Sequence, residues 1–440
     1  MKKSNALALI PIGVFVVFYL SLGIIFEYVM KIPMGFYNVP VVVAFLIALF
    51  VAVLQTKGAS LDEKFDIMGK GIGDRNIITM LLIFMLAGIF VGVAGRSSAE
   101  SVAYFMLSVT PPRLAVVVIF IVSCFVSTAM GTSVGTITLI TPIAAAVAES
   151  SGFSLALCVG TVVGGAMFGD NLSFISDTTI AACNGQGCKM KDKFRTNISI
   201  VIPAAIVTAV IILALSMRAE ISENITQEYN MIKIIPYILV LICGVTGVNV
   251  FLTLLTGIVS GSIIMLLTGS TTFPDLLASM GAGASGMFET SMVAVLVAAL
   301  CALIRYNGGF EALLSGIRRL FRGKKGGQLG IGLLVGLMDV ATANNTVAIV
   351  MANPIASEMA EEYGISKRKT ASILDTFSCI TQGFLPYGAQ ILVALSAVST
   401  LGYELSAFSV ITNLFYPMLL LLSSLVFIFL IPERKNKGVN

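Results

Sequence analysis

Apolar segments of about 20 residues recur along the whole sequence, and they restrict the fold more than any other feature. A helix of that length spans the hydrocarbon core of a bilayer, which is about 30 Å thick. Charged residues make up 11% of the chain, whereas a soluble domain carries about 25%. The sequence therefore predicts an all-α polytopic membrane protein rather than a soluble enzyme. The predicted spans are 6–29, 38–56, 76–95 and 197–217 in the first half and 250–268, 287–305 and 406–431 in the second, with a weaker one at 232–247.

Two regions of the first half contain polar interruptions that a simple membrane helix lacks. In 113–149, two short apolar arms flank a polar tip that contains Thr132-Ser133, which predicts a re-entrant hairpin. In 153–183, an apolar helix is interrupted between Asp170 and Asp177, which predicts a broken helix. Lipid cannot satisfy the backbone groups that such breaks free, so the breaks must face protein or a cavity.

The second half of the sequence repeats the first at a constant shift of 212 positions. The shift pairs Pro142 with Pro354 and Glu149 with Glu361, and it needs no gap across 56–178. Because these matches include proline and glutamate, they are unlike the chance matches of apolar sequence. The sequence thus predicts two repeats.

Each repeat is predicted to hold about five transmembrane helices, one hairpin and one broken helix. The first repeat covers 1–217. The second covers 218–440, with a hairpin at 327–360, whose tip holds Asn344-Asn345, and a broken helix at 367–397.

The basic residues predict the topology. With five crossings in each half, 22 of the 27 Lys and Arg residues fall on one side of the membrane. Positively charged loops stay in the cytoplasm, so both termini are expected on the cytoplasmic side. The protein itself is expected in the inner (plasma) membrane of the cell. Five is odd, so the repeats are expected to be inverted. Hairpin 113–149 would then open to the outside and hairpin 327–360 to the cytoplasm.

Inverted repeats with broken helices are typical of secondary transporters, which bind substrates and coupling ions at the breaks. Intramembrane carboxylates are also functional by default, although Asp and Ser at a break can serve as helix caps. We predict cation or proton binding by polar residues of the broken helices, namely Asp170, Asn171, Ser173, Ser176, Asp177, Thr178, Asp375 and Gln382. We predict substrate contacts by residues at the hairpin tips, namely Thr132, Ser133, Asp339, Asn344, Asn345 and Thr346.

The chemistry of these side chains favours an alkali cation. Carboxylate, hydroxyl and amide oxygens suit Na⁺ better than a transition metal, and Asp170, Asp177 and Asn345 are the candidate ligands. The chain contains no histidine, so carboxylates are expected to carry any proton. Loss of hydration opposes their charge, which lets a proton compete with a cation. No cofactor is predicted, and the basic run at 318–325 is interpreted as a topology signal rather than a nucleic-acid site.

Two motifs carry a family resemblance. The run GAMFGDNLSFISDTT at 165–179 resembles the signature G-x-x-F-G-D-x-x-S-P-x-S-D-T-T of NhaC-type Na⁺/H⁺ antiporters, with Phe174 in place of the usual proline. The segment GFLPYG at 383–388 is similar to the family's G-x-x-P-W/Y-G. The resemblance implies a Na⁺-coupled carrier that works by alternating access, as a homodimer with a moving transport domain.

The resemblance leaves the substrate open. Na⁺/H⁺ exchange is favoured. The alternative is Na⁺- or H⁺-coupled transport of an amino acid or organic carboxylate, because 184–194 looks more like the short relatives that include such carriers. An enzyme or a channel is disfavoured, since the sequence shows no nucleophile–base pair and no phosphate-binding loop.

Overall fold

The computed structural model describes residues 4–32, 39–173, 176–219, 229–246 and 248–430, and the regular structure within these ranges is helical. The α-helices of the first half are α1 (Ile10–Ile24), α2 (Val41–Gln55), α3 (Leu61–Ile72), α4 (Arg75–Val109), α5 (Ala115–Met130), α6 (Ser133–Ser151), α7 (Leu155–Leu172), α8 (Asp177–Gln186) and α9 (Met190–Arg218). Those of the second half are α10 (Met231–Val245), α11 (Val250–Leu267), α12 (Phe273–Gly286), α13 (Phe288–Tyr306), α14 (Gly309–Leu320), α15 (Gly323–Thr342), α16 (Asn345–Tyr363), α17 (Lys367–Phe384), α18 (Ala389–Thr400), α19 (Ala407–Thr412) and α20 (Phe415–Leu430).

Several of these helices can cross a membrane. In the described part of the chain, seven segments are long and apolar enough to do so, or up to nine if each bent helix pair counts as one span. Each predicted span overlaps one of these segments or a shorter apolar helix. The predicted all-α polytopic fold is confirmed at this level.

The helices of the two halves begin and end at matching positions. The bounds of α6 and α16 differ by 212 at both ends, and so do those of α7 and α17. Helices α8 and α18 begin 212 residues apart, and α9 and α20 end 212 residues apart. The repeated sequence thus corresponds to a repeated order of helices. The inversion of the halves across the membrane stays a prediction, and so does the re-entrant character of the hairpins.

Two predicted spans differ from the observed helices. Helix α4 has 35 residues and runs well past the predicted end at 95. The predicted span 406–431 is two helices, α19 and α20. Pro417 explains this break, because it has no N–H to donate to the carbonyl of Asn413 and its ring would collide with that carbonyl in a continuous helix.

The two halves are packed into each other. Helix α8, which follows the first break, packs on α16 and α17 of the second half. Helix α18, its counterpart, packs on α6 and α7 of the first half. Each of the two hydrophobic cores contains side chains from both halves. This exchange of short helices brings both breaks close to both hairpin tips.

Candidate functional site

The two hairpin tips have the same backbone construction. Gly131 (φ 71°) directly follows α5 and Ala343 (φ 49°) directly follows α15, and both residues are in the left-handed region. The next residue then caps the following helix. The Thr132 side chain accepts from the backbone N–H of residue 135, and Asn344 Oδ1 accepts from the N–H of residue 347 at 2.9 Å. Thr and Asn favour N-cap positions. These two residues therefore stabilise the backbone of the hairpin whose tip they form.

Hydroxyl groups satisfy the backbone of the first helix break. Ser176 Oγ donates to the carbonyl oxygen of Asp170 at 2.9 Å, and Thr179 Oγ1 donates to that of Ser173 at 2.9 Å. Ser176 also caps α8 by accepting from the N–H of Thr179 at 3.2 Å. The predicted residues Ser173 and Ser176 are buried and hold the break together. Phe174, the departure from the family signature, lies outside the described residues.

A cavity of about 470 Å³ lies where the two tips and the two breaks meet. Eight of the predicted residues line it, namely Thr132, Ser133, Asp170, Asp177, Thr178, Asn344, Asn345 and Thr346. A larger cavity of about 630 Å³ lies between α3, α13 and α16, but it contains none of the predicted residues. The 470 Å³ cavity, called the central cavity below, is therefore the candidate site.

The two carboxylates of the central cavity differ in environment. Asp170 is 4% exposed, and its Oδ1 accepts from the backbone N–H of Ser133 at 3.0 Å. Ser133 is the first residue of α6, so the positive end of that helix points at the carboxylate. Asp177 is exposed in the described structure and begins α8, within electrostatic range of Arg75. The site thus combines one enclosed and one accessible carboxylate.

A chain of hydrogen bonds joins the hairpin tips across the two halves. Gln390 Nε2 donates to Ser133 Oγ at 3.1 Å, and Gln382 Nε2 donates to Gln390 Oε1 at 2.7 Å. Gln382 Nε2 also donates to the carbonyl of Ala343 at 3.1 Å. Gln382 lies behind the cavity wall rather than on its surface, and it links the two tips.

Asp375 lies outside the central cavity, in a buried cluster. Its Oδ2 is 2.7 Å from the Lys193 ammonium, and both side chains are at most 1% exposed. The side-chain amides of Asn171 and Asn197 donate to the same oxygen at 3.1 and 2.8 Å. The charge pattern places Lys193 among the cytoplasmic loop charges, but it is fully buried and also donates to the carbonyl of Asn171 at 3.0 Å. Asn171 and Asp375 therefore belong to a polar core beside the cavity.

Asp339 also lies outside the central cavity. It is 0% exposed in the last turn of α15, and neither of its carboxyl oxygens has a hydrogen-bond partner among the described residues. The structure thus separates three predicted carboxylate positions: the cavity pair, the lysine-bound Asp375 and the enclosed Asp339.

Four polar residues of the central cavity are absent from the residues predicted by sequence, namely Arg75, Thr79, Asn249 and Gln390. Gln390 was predictable, because the shift of 212 places it on Thr178. In the sequence, Arg75 is counted among the basic loop residues, because it lies at the edge of an apolar span. In the structure it begins α4. The sequence around Asn249 contains no motif that indicates a binding site. Its one distinguishing feature is its position before α11.

The chemistry of the central cavity suits hard cations. The carboxylates of Asp170 and Asp177 and the amide of Asn345 offer the oxygen ligands that alkali cations accept. Among the described residues, no group of three or more His, Cys, Asp or Glu side chains could hold a metal ion. The lining also contains the Arg75 guanidinium and the amide nitrogen of Asn345, which is buried without a partner. The cavity can therefore contact an anionic group as well as a cation.

The sequence matches known transporters along most of its length. Residues 4–217 and 219–431 match the Na⁺/H⁺ antiporter family. The Na⁺/H⁺ antiporter NhaC of Bacillus subtilis is 26% identical over 386 residues, which are 78% of this chain and 84% of that protein. The malate-2H⁺/Na⁺-lactate antiporter of Bacillus subtilis is 28% identical over 207 residues, which are 46% of this chain and 41% of that protein.

The chain is also similar to a solved transporter structure. The YdaH transporter of Alcanivorax borkumensis matches with a TM-score of 0.46 at 13% identity, over 95% of this chain and 97% of that one. The family match covers both halves. Asp170 and Asp177, which lie in the run at 165–179, line the central cavity. This chain is therefore a multi-pass membrane protein that belongs to the Na⁺/H⁺ antiporter family.

Proposed function

We propose that this protein exchanges Na⁺ for H⁺ at the central cavity, with Asp170 and Asp177 binding the cation or the proton. The observation that carries the proposal is the position of Asp170. Its carboxylate is nearly enclosed, lies beside an open cavity and accepts one backbone hydrogen bond from the start of α6. A carboxylate has capacity for further partners, and a bound Na⁺ or a proton would supply one.

Competition between the two ions follows from desolvation. A buried carboxylate is costly without a compensating charge, and the single N–H of Ser133 compensates in part. Either Na⁺ or a proton lowers that cost, but one carboxylate cannot hold both with full effect. Binding of one ion therefore favours release of the other, which is the requirement for exchange.

A second cavity supports alternating access. It measures about 300 Å³ and is lined by Glu289, Thr290 and Ser396, among others. A third, small cavity of about 10 Å³, called the constriction below, has Phe84 and Tyr387 in its wall. The constriction shares Met80 and Asn344 with the central cavity and Thr290 with the second cavity. We infer that the transport route passes through this constriction, which is closed in the present conformation.

The experiment is Na⁺-driven proton movement in proteoliposomes that contain a pH-sensitive dye. Asp170→Asn and Asp177→Asn should each lower the exchange rate at least tenfold, because the amide binds neither a proton nor Na⁺ as a carboxylate does. Asp62→Asn is the matched control, since Asp62 is exposed on α3 and outside the cavity. Exchange by Asp170→Asn at the rate of the control would refute the assignment.

Transport of a small organic carboxylate is the second candidate, and the composition of the cavity favours it. A volume of about 470 Å³ holds on the order of ten water molecules, far more than one bare cation needs. Arg75 supplies a guanidinium that can bind a carboxylate in a bidentate manner. Uptake of a labelled panel of amino acids and organic acids, with and without Na⁺, tests this candidate. Saturable uptake that Arg75→Gln abolishes and Arg75→Lys weakens would establish it, and no uptake of any member would exclude it.

A further inference from the structure

Asp339 is the one carboxylate described above that has neither a counterion nor a cavity. Asp375 is paired with Lys193, and Asp170 accepts from Ser133. Asp339 is 0% exposed, and both its oxygens lack a hydrogen-bond partner within the described ranges. A buried ionised carboxylate without a partner is far more costly than the neutral acid.

The surroundings of Asp339 also oppose a negative charge. It lies in the last turn of α15, where the free carbonyl groups make the negative end of the helix dipole. Helix α15 packs against α13, α14, α16, α17 and α20. The titratable or charged side chains near this end of α15 include Cys301, Cys379 and Tyr387, with Asp170 and Asp375 within electrostatic range of Cys379 and Arg305 within range of Cys301. Arg305 is a cation, but the Asp339 oxygens have no hydrogen-bond partner in the described ranges, so its charge is not paired directly with this carboxyl group.

The hydrogen-bonding capacity of those neighbours is largely used elsewhere. The Cys301 thiol donates to the carbonyl of Ala341 at 3.3 Å, and the Tyr387 hydroxyl donates to that of Val340 at 3.0 Å. The Cys379 thiol donates to the carbonyl of Met167 at 3.7 Å. The carboxyl group is therefore held in a site that suits the protonated form.

The internal repeat shows that the fold does not need a carboxyl group here. The shift of 212 places Asp339 on Ser127. The Ser127 hydroxyl donates to the carbonyl of Ala166 at 2.6 Å, so a small neutral donor packs the same position of the first hairpin. An ionisable group in the second hairpin is thus a difference between the halves that packing does not explain.

A small cavity adjoins the turn that holds Asp339. The constriction of about 10 Å³ is lined by Thr342, the last residue of that turn, and by Ala343 and Asn344, which follow it. That volume is close to what one water molecule requires. Asn344 lines the central cavity as well, so the constriction lies between the turn of Asp339 and the proposed transport site.

We propose that Asp339 is a second proton-binding site, which carries one proton per transport cycle on the second hairpin. The proton leaves the carboxyl group for water when movement of the hairpin opens the constriction, and a proton from the other side restores the acid. No covalent bond other than O–H changes. The inference rests on the proposed Na⁺/H⁺ exchange and adds one proton to its stoichiometry.

The first test measures the number of protons exchanged per Na⁺. In proteoliposomes with a fixed pH gradient, the Na⁺ gradient that stops net flux gives this ratio. Asp339→Ser introduces the residue that the first half has at this position, and it should lower the ratio by one while exchange continues. Ser127→Ala, at the same place in the first hairpin, is the matched control and should leave the ratio unchanged. An unchanged ratio in Asp339→Ser overturns the proposal.

The second test reads the protonation state directly. Infrared difference spectra of the purified protein should contain the carbonyl band of a protonated carboxyl group that is absent from Asp339→Asn, an isosteric variant that serves if Asp339→Ser does not fold. Absence of such a band at neutral pH also overturns the proposal. If wild-type liposomes show no Na⁺-dependent proton movement, the proposed function fails, whereas the infrared comparison still reports on Asp339.

Discussion

At the residue scale, the cluster around Asp375 changes which groups can respond to protons. The absence of histidine leads to the expectation that aspartates carry any proton. The structure adds Lys193, whose ammonium contacts Asp375 Oδ2 at 2.7 Å, Thr179 Oγ1 at 2.7 Å and the carbonyl of Asn171 at 3.0 Å. Three oxygens around one buried ammonium resemble a cation site that already contains its cation. The ammonium also binds the carbonyl of Asn171 at the carboxyl end of α7. Asp170 and Asp177 are the predicted carboxylates that line the central cavity.

Replacement of Lys193 should lower the stability of the protein. Lys193→Met leaves the Asp375 carboxylate buried and without its counterion, and we expect a loss of about 3–5 kcal/mol in the free energy of unfolding. Thermal unfolding in detergent checks it.

The double variant separates the charge pair from packing. Lys193→Met with Asp375→Asn removes both charges and should recover most of the lost stability, because no uncompensated charge remains. Lys191→Met, at an exposed lysine of the same helix, should stay within about 0.5 kcal/mol of wild type. If the double variant were as unstable as the single one, packing rather than charge would explain the loss.

At the scale of helices, the hairpin tips reveal an asymmetry between the repeats. Gly131 and Ala343 occupy equivalent left-handed positions, with φ of 71° and 49°. Alanine pays about 1 kcal/mol or more for this conformation, whereas glycine does not. We expect Ala343→Gly to stabilise the protein by about 0.5–1 kcal/mol and Gly131→Ala to destabilise it by about 1 kcal/mol. Opposite shifts in the thermal midpoint would confirm this, and destabilisation by both would show that the Ala343 methyl group contributes to packing.

The contact between α4 and α12 depends on glycine. A Cβ on Gly88 would lie 2.2 Å from the carbonyl oxygen of Gly283, and one on Gly283 would lie 2.1 Å from that of Gly88. Gly88→Ala and Gly283→Ala should therefore force the helices apart and cost about 1–3 kcal/mol. Gly281→Ala on the same helix is the control, because a Cβ added there would have nothing within 4 Å. Its thermal midpoint should equal or exceed that of wild type, since alanine favours a helix. Equal losses in all three would point to a helix-wide effect instead.

The same scale shows what the sequence could and could not reveal. The helical fold and its apolar spans were predictable, because apolar periodicity is local. The hairpins as re-entrant segments and the inversion of the repeats stay predictions. The break before α20 was missed, although Pro417 was visible, because the apolar run around it suggested a single span. Lys193 and Arg75 were missed for a different reason. Charge counting gives a residue's distance along the chain from a span. The burial of Lys193 depends on packing between α9, α7 and α17, and the place of the exposed Arg75 in the cavity wall depends on how α4 packs, neither of which one sequence specifies.

At the scale of the whole molecule, inversion of the repeats would give the two cavities related surroundings on opposite sides. The central cavity is lined by Asp177, Thr178 and Ile180 of the first half. The second cavity is lined by Leu392, the counterpart of Ile180. It is also lined by Glu289, whose counterpart Ile77 lies in sequence between Arg75 and Thr79, two residues of the central cavity. If the halves are inverted, exchanging their conformations would close the central cavity and open the second one. The orientation of equivalent loops is therefore the decisive property of the fold.

Cysteine labelling at two equivalent helix caps tests the inversion. Ser60 caps α3 and Thr272 caps α12, both side chains are exposed, and the positions differ by 212. We introduce Ser60→Cys or Thr272→Cys separately after replacing Cys188 and Cys243, the two native cysteines that are not fully buried. A membrane-impermeant maleimide should label position 60 in inside-out vesicles and position 272 in right-side-out vesicles, since the charge pattern predicts that the loop at 57–64 is cytoplasmic. Loss of either cap costs a similar amount, about 1 kcal/mol, so the variants are matched in stability. Labelling of both positions from the same side would mean that the halves are parallel repeats, and the two cavities could not then exchange roles by inversion.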